Sequence, residues 1–133
     1  MNIKIIVSSL LFFVATTQPR QLLNGKHFMA TYKECDKEAL TNNRTLIEVL
    51  EKAAHLSGAT VVRSECESFN GGGFIATLIL AEGHASVHVY AKQDICFVDL
   101  FTVGSHCSHT PFDKLLERYL KPLESDKNIY ARK

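Results

Sequence analysis

The sequence predicts an α+β fold: a two-layer sandwich, an antiparallel sheet with two helices on one face. Segments rich in apolar and β-prone residues follow one another with short, turn-like connections, which favours antiparallel pairing. Two other segments carry apolar residues at helical spacing on one side only, and such a stripe must be buried against a second layer. The predicted order of elements is β-α-β-β-β-β-α.

The predicted strands are separated by turn signals. The first covers residues 26–32, and a loosely alternating strand covers residues 59–69. Residues 70–73 (NGGG) form a flexible hairpin turn, because they lack the lysine and following helix of a phosphate-binding loop. The remaining strands are predicted at residues 74–81, 85–90 and 95–102.

The first predicted helix spans residues 45–55, where apolar residues recur at helical spacing. Asn43 is the expected N-cap, and Gly58 the residue that ends the helix. The preceding residues, 35–43, are expected to form a connection without regular structure.

The second predicted helix opens at Thr110, as N-cap, and Pro111, at the first helical position. Pro122 stops it, since proline cannot continue a helix. The polar residues that follow are expected to be frayed.

Composition limits the class of protein. The chain has 133 residues, of which 46% are hydrophobic and 22% charged, with a formal net charge of +1. One ordinary domain of this size can bury a substantial core. Lysines and arginines are scattered, so no nucleic-acid partner is expected.

The N-terminal end differs in kind from the rest. Residues 1–21 form an apolar extension: one lysine, an apolar run at residues 5–15, then polar residues. This layout is typical of a secretory signal peptide and is too short to span a bilayer comfortably. A buried strand or an extension from an upstream start codon are the alternatives. The domain itself is expected at residues 22–122, followed by a polar tail at residues 123–133.

The four cysteines are Cys35, Cys66, Cys96 and Cys107. An even count permits two disulfides in an oxidising compartment. Their spacing matches no zinc motif, and the favoured interpretation is four buried or half-buried thiols.

Two segments carry a family signature. Residues 80–88 read LAEGHASVH and residues 98–104 read VDLFTVG, preceded by GKH at 25–27, CD at 35–36 and GATVV at 58–62. Over about residues 22–122 this pattern resembles the small prokaryotic S-adenosylmethionine decarboxylases. The resemblance implies a role in polyamine (spermidine) biosynthesis and a cytoplasmic protein, or a secreted or periplasmic one if residues 1–17 act as a signal.

The resemblance also implies catalytic positions, two of which are altered. In the family, the bond between a Glu and a Ser rearranges through the serine hydroxyl and leaves a pyruvoyl cofactor. Glu82 matches that glutamate, but Gly83 stands at the serine position and has no hydroxyl. Val103 stands at the position of a proton-donating cysteine. His88 matches the histidine that assists self-processing.

No cofactor is therefore expected, and the usual decarboxylation should be absent or crippled. The chain is expected to keep a pocket for S-adenosylmethionine or a related molecule, with His84, Ser86 and Tyr90 as binding residues. A sulfonium also calls for aromatic faces and carboxylates, which Phe28, Tyr32, Phe74, Tyr90 and Glu82 would supply. The resemblance implies a homodimer, or a heterodimer in which this chain regulates an active paralogue.

The residues leave other interpretations open. Gly83 is also explained by a turn that needs a positive φ, and His88 by a hydrogen bond at the end of a strand. A pyruvoyl-independent lyase or hydrolase would use Glu82, His84 and His88 as acids and bases.

A metal-binding protein is the last alternative, with His84 and His88 plus the cluster His106, Cys107 and His109. Residues four apart in a strand lie roughly 13 Å apart, so two of these histidines reach one ion only if a turn intervenes. No metal site is predicted.

Overall fold

A computed structural model of the chain describes residues 23–133. Within that range six strands form: β1 (Gly25–Lys33), β2 (Val61–Phe69), β3 (Gly73–Leu80), β4 (Gly83–Tyr90), β5 (Ile95–Val103) and β6 (Glu124–Arg132). The α-helices are α1 (Lys37–Thr41), α2 (Asn43–Leu56) and α3 (His109–Leu120), and a 3₁₀ turn covers Ala91–Gln93.

All strand pairs are antiparallel, and the strands lie in the order β2-β3-β4-β5-β1-β6. The strands β2 to β5 follow one another as hairpins, while β1 lies between β5 and β6. Helices α2 and α3 pack together on one face of this sheet. The predicted α+β sandwich is confirmed.

The two faces of the sheet differ in cover. The core face, under the helices, carries buried side chains such as Tyr32, Val87 and Val98, which pack with Leu46 of α2 and Phe112 of α3. Side chains at the alternate positions point to the other face, which we call the open face. Its central part consists of His27, Met29, Thr31, His84, Ser86, His88, Tyr90, Phe97, Asp99 and Phe101.

The prediction of a frayed C-terminal tail is wrong. Residues 124–132 form β6, which pairs with β1 from Lys33↔Glu124 to Gly25↔Arg132. Every β6 residue is exposed, so the strand has no alternating apolar pattern from which it could be predicted. Its register comes from backbone pairing, and Lys127 anchors it through its ion pairs with Asp113 and Glu117.

The start of the first helical region also differs from the prediction. Residues 37–41, expected as a connection, form α1, whose N-cap Asp36 accepts a 2.9 Å hydrogen bond from the Ala39 N–H. The N-cap of α2 is Asn42, not Asn43, because the Asn42 side chain accepts from the Thr45 N–H. Gly58 follows the C-cap of α2 with a φ of +94°, as predicted.

Helix α3 begins earlier than predicted. Ser108 is its N-cap, and its hydroxyl oxygen accepts from the Thr110 N–H. Thr110 and Pro111 therefore lie inside the first turn rather than at its boundary. Proline is tolerated there because the first N–H groups of a helix have no intrahelical partner.

All four cysteines are free thiols. Cys35, Cys96 and Cys107 are buried, but Cys66 is exposed on edge strand β2, so the prediction of a buried or half-buried thiol is wrong there. Burial, assisted by the nearby Asp94 carboxylate, raises the pKa of Cys35 to about 11.

The predicted apolar extension, residues 1–21, lies outside the described residues. In residues 23–133, none of the helices has both the length and the apolar character that a membrane span requires.

Candidate functional site

Three of the sequence-predicted residues meet at one end of the sheet. Glu82 lies in the connection between β3 and β4, and Gly83 opens β4 opposite Thr102 of β5. The Val103 N–H donates a 2.8 Å hydrogen bond to the Glu82 carbonyl oxygen. We call this group of residues the junction.

Gly83 is enclosed by the backbone of the neighbouring strand. A Cβ at this position would run into the carbonyl oxygen of Phe101, with the carbonyl carbon at 2.9 Å and the Thr102 Cα at 3.2 Å. Its φ lies outside the left-handed region, so the interpretation of Gly83 as a positive-φ turn residue is wrong. Glycine fits here because the backbones approach too closely for a side chain unless one of them shifts.

The Glu82 side chain is held in place by three partners. Its carboxylate accepts from the Thr60 N–H at 2.8 Å and the Thr60 hydroxyl at 3.2 Å, and the His106 Nε2 lies 3.5 Å away. The Thr60 N–H bond is the largest cause of a lowered Glu82 pKa, and partial burial acts in the opposite direction. The carboxylate is therefore stabilised in its ionised form.

His84 lies on the open face near the junction. Its ring centroid is 5.4 Å from that of Phe101 and 6.3 Å from that of His27. The Nε2 atom of His27 lies 2.9 Å from the Asp99 Oδ1. This end of the open face thus presents two imidazoles beside an aromatic ring.

His88 and Tyr90 occupy the opposite end of β4. His88 lies five positions after Gly83, about 16 Å along a strand, so this histidine and the junction form two separate places. The His88 and Tyr90 rings stack with centroids 4.7 Å apart, and Phe69 lies 6.3 Å from His88. Ser86 lies between the two ends, opposite Asp99.

A groove of about 400 Å³ opens beside these rings. We call it the aromatic groove. It is lined by the end of β4 and by the β2–β3 turn, with Phe69, Asn70, His88, Tyr90, Lys92 and Gln93 among the lining side chains. Of the predicted binding residues, only Tyr90 lies here, together with His88, which was predicted as catalytic.

Three of the aromatic binding candidates are unavailable to a ligand. Phe28, Tyr32 and Phe74 are buried on the core face beneath the helices. The Tyr32 hydroxyl donates to the Asp113 carboxylate, so its polar group is already satisfied. Their role is packing, and the prediction of a binding role for them is wrong.

The histidines and cysteine considered for a metal site point in different directions. His106 faces Glu82, whereas His109 stacks on Phe28 with ring centroids 5.3 Å apart. Across residues 23–133, no group of three His, Cys, Asp or Glu side chains is arranged to hold a metal ion.

Several residues of these sites were missed from the sequence. Phe69 and Lys92 line the groove. A sequence signal existed for Phe69, which directly precedes the predicted hairpin turn at residues 70–73; in the structure it pairs with Gly73, and Gly73 pairs with Tyr90. Thr60 and His106 lie far from Glu82 along the chain, and no sequence pattern pointed to either.

Known proteins resemble this chain over most of its length. A protein-family model described as S-adenosylmethionine decarboxylase matches residues 26–133. The S-adenosylmethionine decarboxylase proenzyme of Methanococcus aeolicus is 31% identical over 102 residues, which cover 77% of this chain and 87% of that protein. The proenzyme of Thermotoga petrophila is 35% identical over 80 residues, which cover 60% and 62% of the two chains.

The fold has a solved counterpart. The crystal structure of adenosylmethionine decarboxylase from Aquifex aeolicus superimposes with a TM-score of 0.73 and 24% identity, covering 80% of this chain and 88% of that one. At this identity the superposition shows the shared fold. With the family match over residues 26–133, the conclusion is direct: the chain belongs to the S-adenosylmethionine decarboxylase family.

Proposed function

We propose that this chain is a family member that stays uncleaved, does not decarboxylate S-adenosylmethionine, and instead binds it or a related molecule. In this proposal it acts in polyamine biosynthesis as a regulatory or ligand-binding subunit. The single observation that carries the proposal is Gly83, a residue without a side chain at a position where the neighbouring backbone leaves room for none.

The residues of the junction do not fit a self-generated pyruvoyl group. Forming one requires a side-chain hydroxyl or thiol next to Glu82, and Gly83 supplies neither. Val103 is equally unsuited to donate a proton, since its side chain is a hydrocarbon. Gly83 and Val103 both differ from the family pattern, and each difference supports the loss of decarboxylation.

The aromatic groove is the place proposed for the ligand. Its volume falls in the range of small-molecule sites, and its walls combine exposed aromatic rings with a few polar side chains. An adenine ring would stack on Tyr90 or Phe69, both of which are partly exposed. Ser86 and His84 lie outside the groove, so any contact they make belongs to another part of the open face.

The part of the open face outside the aromatic groove is proposed as the contact with a second subunit, either a copy of this chain or an active paralogue. Exposed large apolar side chains gather there, and such surfaces are typical of protein–protein contacts. Outside the groove they are Ile79, Phe97 and Tyr130. A partner on this face would cover the side of the sheet that the helices leave open.

The test combines intact mass with ligand binding. Purified protein should give one chain of 14.9 kDa, less any removed leader, and no decarboxylated product from S-adenosylmethionine. Calorimetric titration with S-adenosylmethionine should show binding below millimolar concentration. Two fragments that separate between Glu82 and Gly83, or an absence of binding at millimolar ligand, would contradict the proposal.

A second candidate is a pyruvoyl-independent lyase or hydrolase. The observation in its favour is the pair formed by the Glu82 carboxylate and the exposed His106 imidazole, because a carboxylate can orient a histidine as a general base. Mass spectrometry of S-adenosylmethionine incubated with the protein separates the candidates: methylthioadenosine would indicate this enzyme, and unchanged substrate would exclude it.

A further inference from the structure

Within residues 23–133, the side chains that line the aromatic groove supply positive charge and no negative charge. Of the described side chains that line it, Lys92 is positively charged and none is a carboxylate. The Lys92 Nζ lies 3.7 Å from the position that a Cβ on Gly71 would take. Because Gly71 has no side chain, the ammonium rests over the β2–β3 turn at the rim of the groove.

Two rings of the groove are partly exposed. Tyr90 and Phe69 are 42% and 51% exposed, although both lie beside His88. Large aromatic faces with this exposure can stack on a planar ring without moving. The amide side chains of Asn70 and Gln93 also line the groove and offer donors and acceptors to the ring edge.

We propose that Lys92 makes the groove selective for an adenosyl compound that carries an anionic group. The ring stacks on Tyr90 and Phe69, and the anion lies beside the Lys92 ammonium. The adenosyl part of this inference rests on the proposed function, whereas the requirement for an anion rests on the charge of the groove. The anion is a carboxylate in S-adenosylmethionine or a phosphate in an adenine nucleotide.

This selectivity has a direct consequence for the family reaction. Decarboxylation removes the carboxylate and leaves a molecule with a sulfonium and an ammonium but no negative charge. Lys92 attracts the carboxylate of the substrate and repels a ligand that is only cationic. The chain therefore distinguishes the substrate of an S-adenosylmethionine decarboxylase from its product.

The experiment is calorimetric titration of the full chain with three adenosyl probes. S-adenosylmethionine supplies a carboxylate, adenosine monophosphate supplies a phosphate, and methylthioadenosine carries neither. The matched variants are Lys92→Gln, which removes the groove charge, and Lys114→Gln, which removes an exposed charge on α3. At least one of the two probes that carry an anionic group should bind the unmodified chain about tenfold more tightly than methylthioadenosine.

Lys92→Gln should abolish that preference and Lys114→Gln should preserve it. The tighter binding of S-adenosylmethionine or of adenosine monophosphate identifies the carboxylate or the phosphate as the group recognised. Equal affinity for all three probes, or a preference unchanged by Lys92→Gln, would overturn the inference while leaving the proposed ligand binding intact. Failure of every probe to bind at millimolar concentration would overturn both.

Discussion

The Val103 N–H and the Glu82 carbonyl oxygen are joined by a 2.8 Å hydrogen bond that ties the end of β5 to the β3–β4 connection. Two residues earlier in β5, the Phe101 carbonyl occupies the space that a side chain on Gly83 would need. Because the bond holds the two segments together, a shift of the carbonyl would disturb the pairing of β4 with β5 at this end of the sheet. The glycine is thus built into the packing of the junction.

Restoring a hydroxyl at this position should not restore processing. Gly83→Ser forces a Cβ into the Phe101 carbonyl, and we expect it to lower the free energy of unfolding by about 3 kcal/mol, as overpacking does. Urea unfolding and intact mass measure the two effects. Gly73→Ser is the control, because its Cβ would meet only ordinary contacts and should change stability by less than about 1 kcal/mol. A Gly83→Ser chain that is as stable as the original and cleaves itself would refute this expectation.

The Glu82 carboxylate should make stability dependent on acid. Its pKa is lowered in the folded chain, so its contribution is present above the unfolded value of about 4.3 and is lost as pH falls through the folded pKa. Glu82→Gln should therefore cost about 1 kcal/mol at pH 7 and much less near pH 3. Urea midpoints measured across this range test it, with Glu67→Gln on exposed β2 as the control. A pH-independent difference would show that the carboxylate charge is unimportant.

Tyr90 should contribute to ligand binding and little to folding. Removing its exposed ring with Tyr90→Ala should weaken binding of S-adenosylmethionine about tenfold, which corresponds to about 1.4 kcal/mol. Titration calorimetry gives the affinity, and thermal unfolding shows whether the fold is intact. Tyr130→Ala removes a similarly exposed ring from β6, outside the groove, and should leave the affinity unchanged. Equal losses in both variants would place the ligand elsewhere.

The open face should support self-association if it is a subunit contact. Phe97→Asp introduces a charge near the middle of that face, where a buried carboxylate would be unpaired, and should convert dimers to monomers. Sedimentation equilibrium measures the oligomeric state. Leu56→Asp alters an equally exposed apolar residue at the end of α2 and should leave assembly unchanged. A chain that is monomeric before any substitution would argue against the dimer.

Lys127 should anchor the last strand to the last helix. Its ammonium lies 2.8 Å from the Asp113 carboxylate and 2.6 Å from the Glu117 carboxylate, and it lies over the Tyr32 ring. Lys127→Ala should lower the free energy of unfolding by about 1–2 kcal/mol, because two partly buried carboxylates lose their partner. Denaturant unfolding measures this, with Lys133→Ala as the exposed control. Equal stability of the two variants would show that Lys127 contributes no more to folding than an exposed lysine does.

The sequence predicted those parts of the fold that carry an apolar pattern. Strands β3, β4 and β5 and helices α2 and α3 bury one side each, and periodicity located them within a few residues. Strand β6 buries no side chain, so its pairing with β1 could not be predicted from an apolar pattern. Capping residues shifted by one or two positions because several polar residues near each helix start were equally suitable.

The candidate site, like the fold, could be predicted from the sequence only in part. Glu82, Gly83 and Val103 lie together as expected, because the signature segments fall on paired strands. The sequence alone could not show that His88 lies apart from these residues, because its distance from Gly83 depends on both residues lying in one continuous strand, β4. The contacts of Glu82 with Thr60 and His106 arise from chain folding alone and have no local sequence signal.

The place of β6 beside β1 has a consequence for how the sheet assembles. Strand β1 precedes every other described element in the chain and β6 follows them, yet the two share nine paired positions. One backbone edge of β1 thus stays unpaired until the last element arrives. Contacts between such distant segments are slow to form, because a long loop must close first. During that interval β1 is an open template for the strand of another chain, and the speed of β6 docking determines how long the risk of intermolecular pairing lasts.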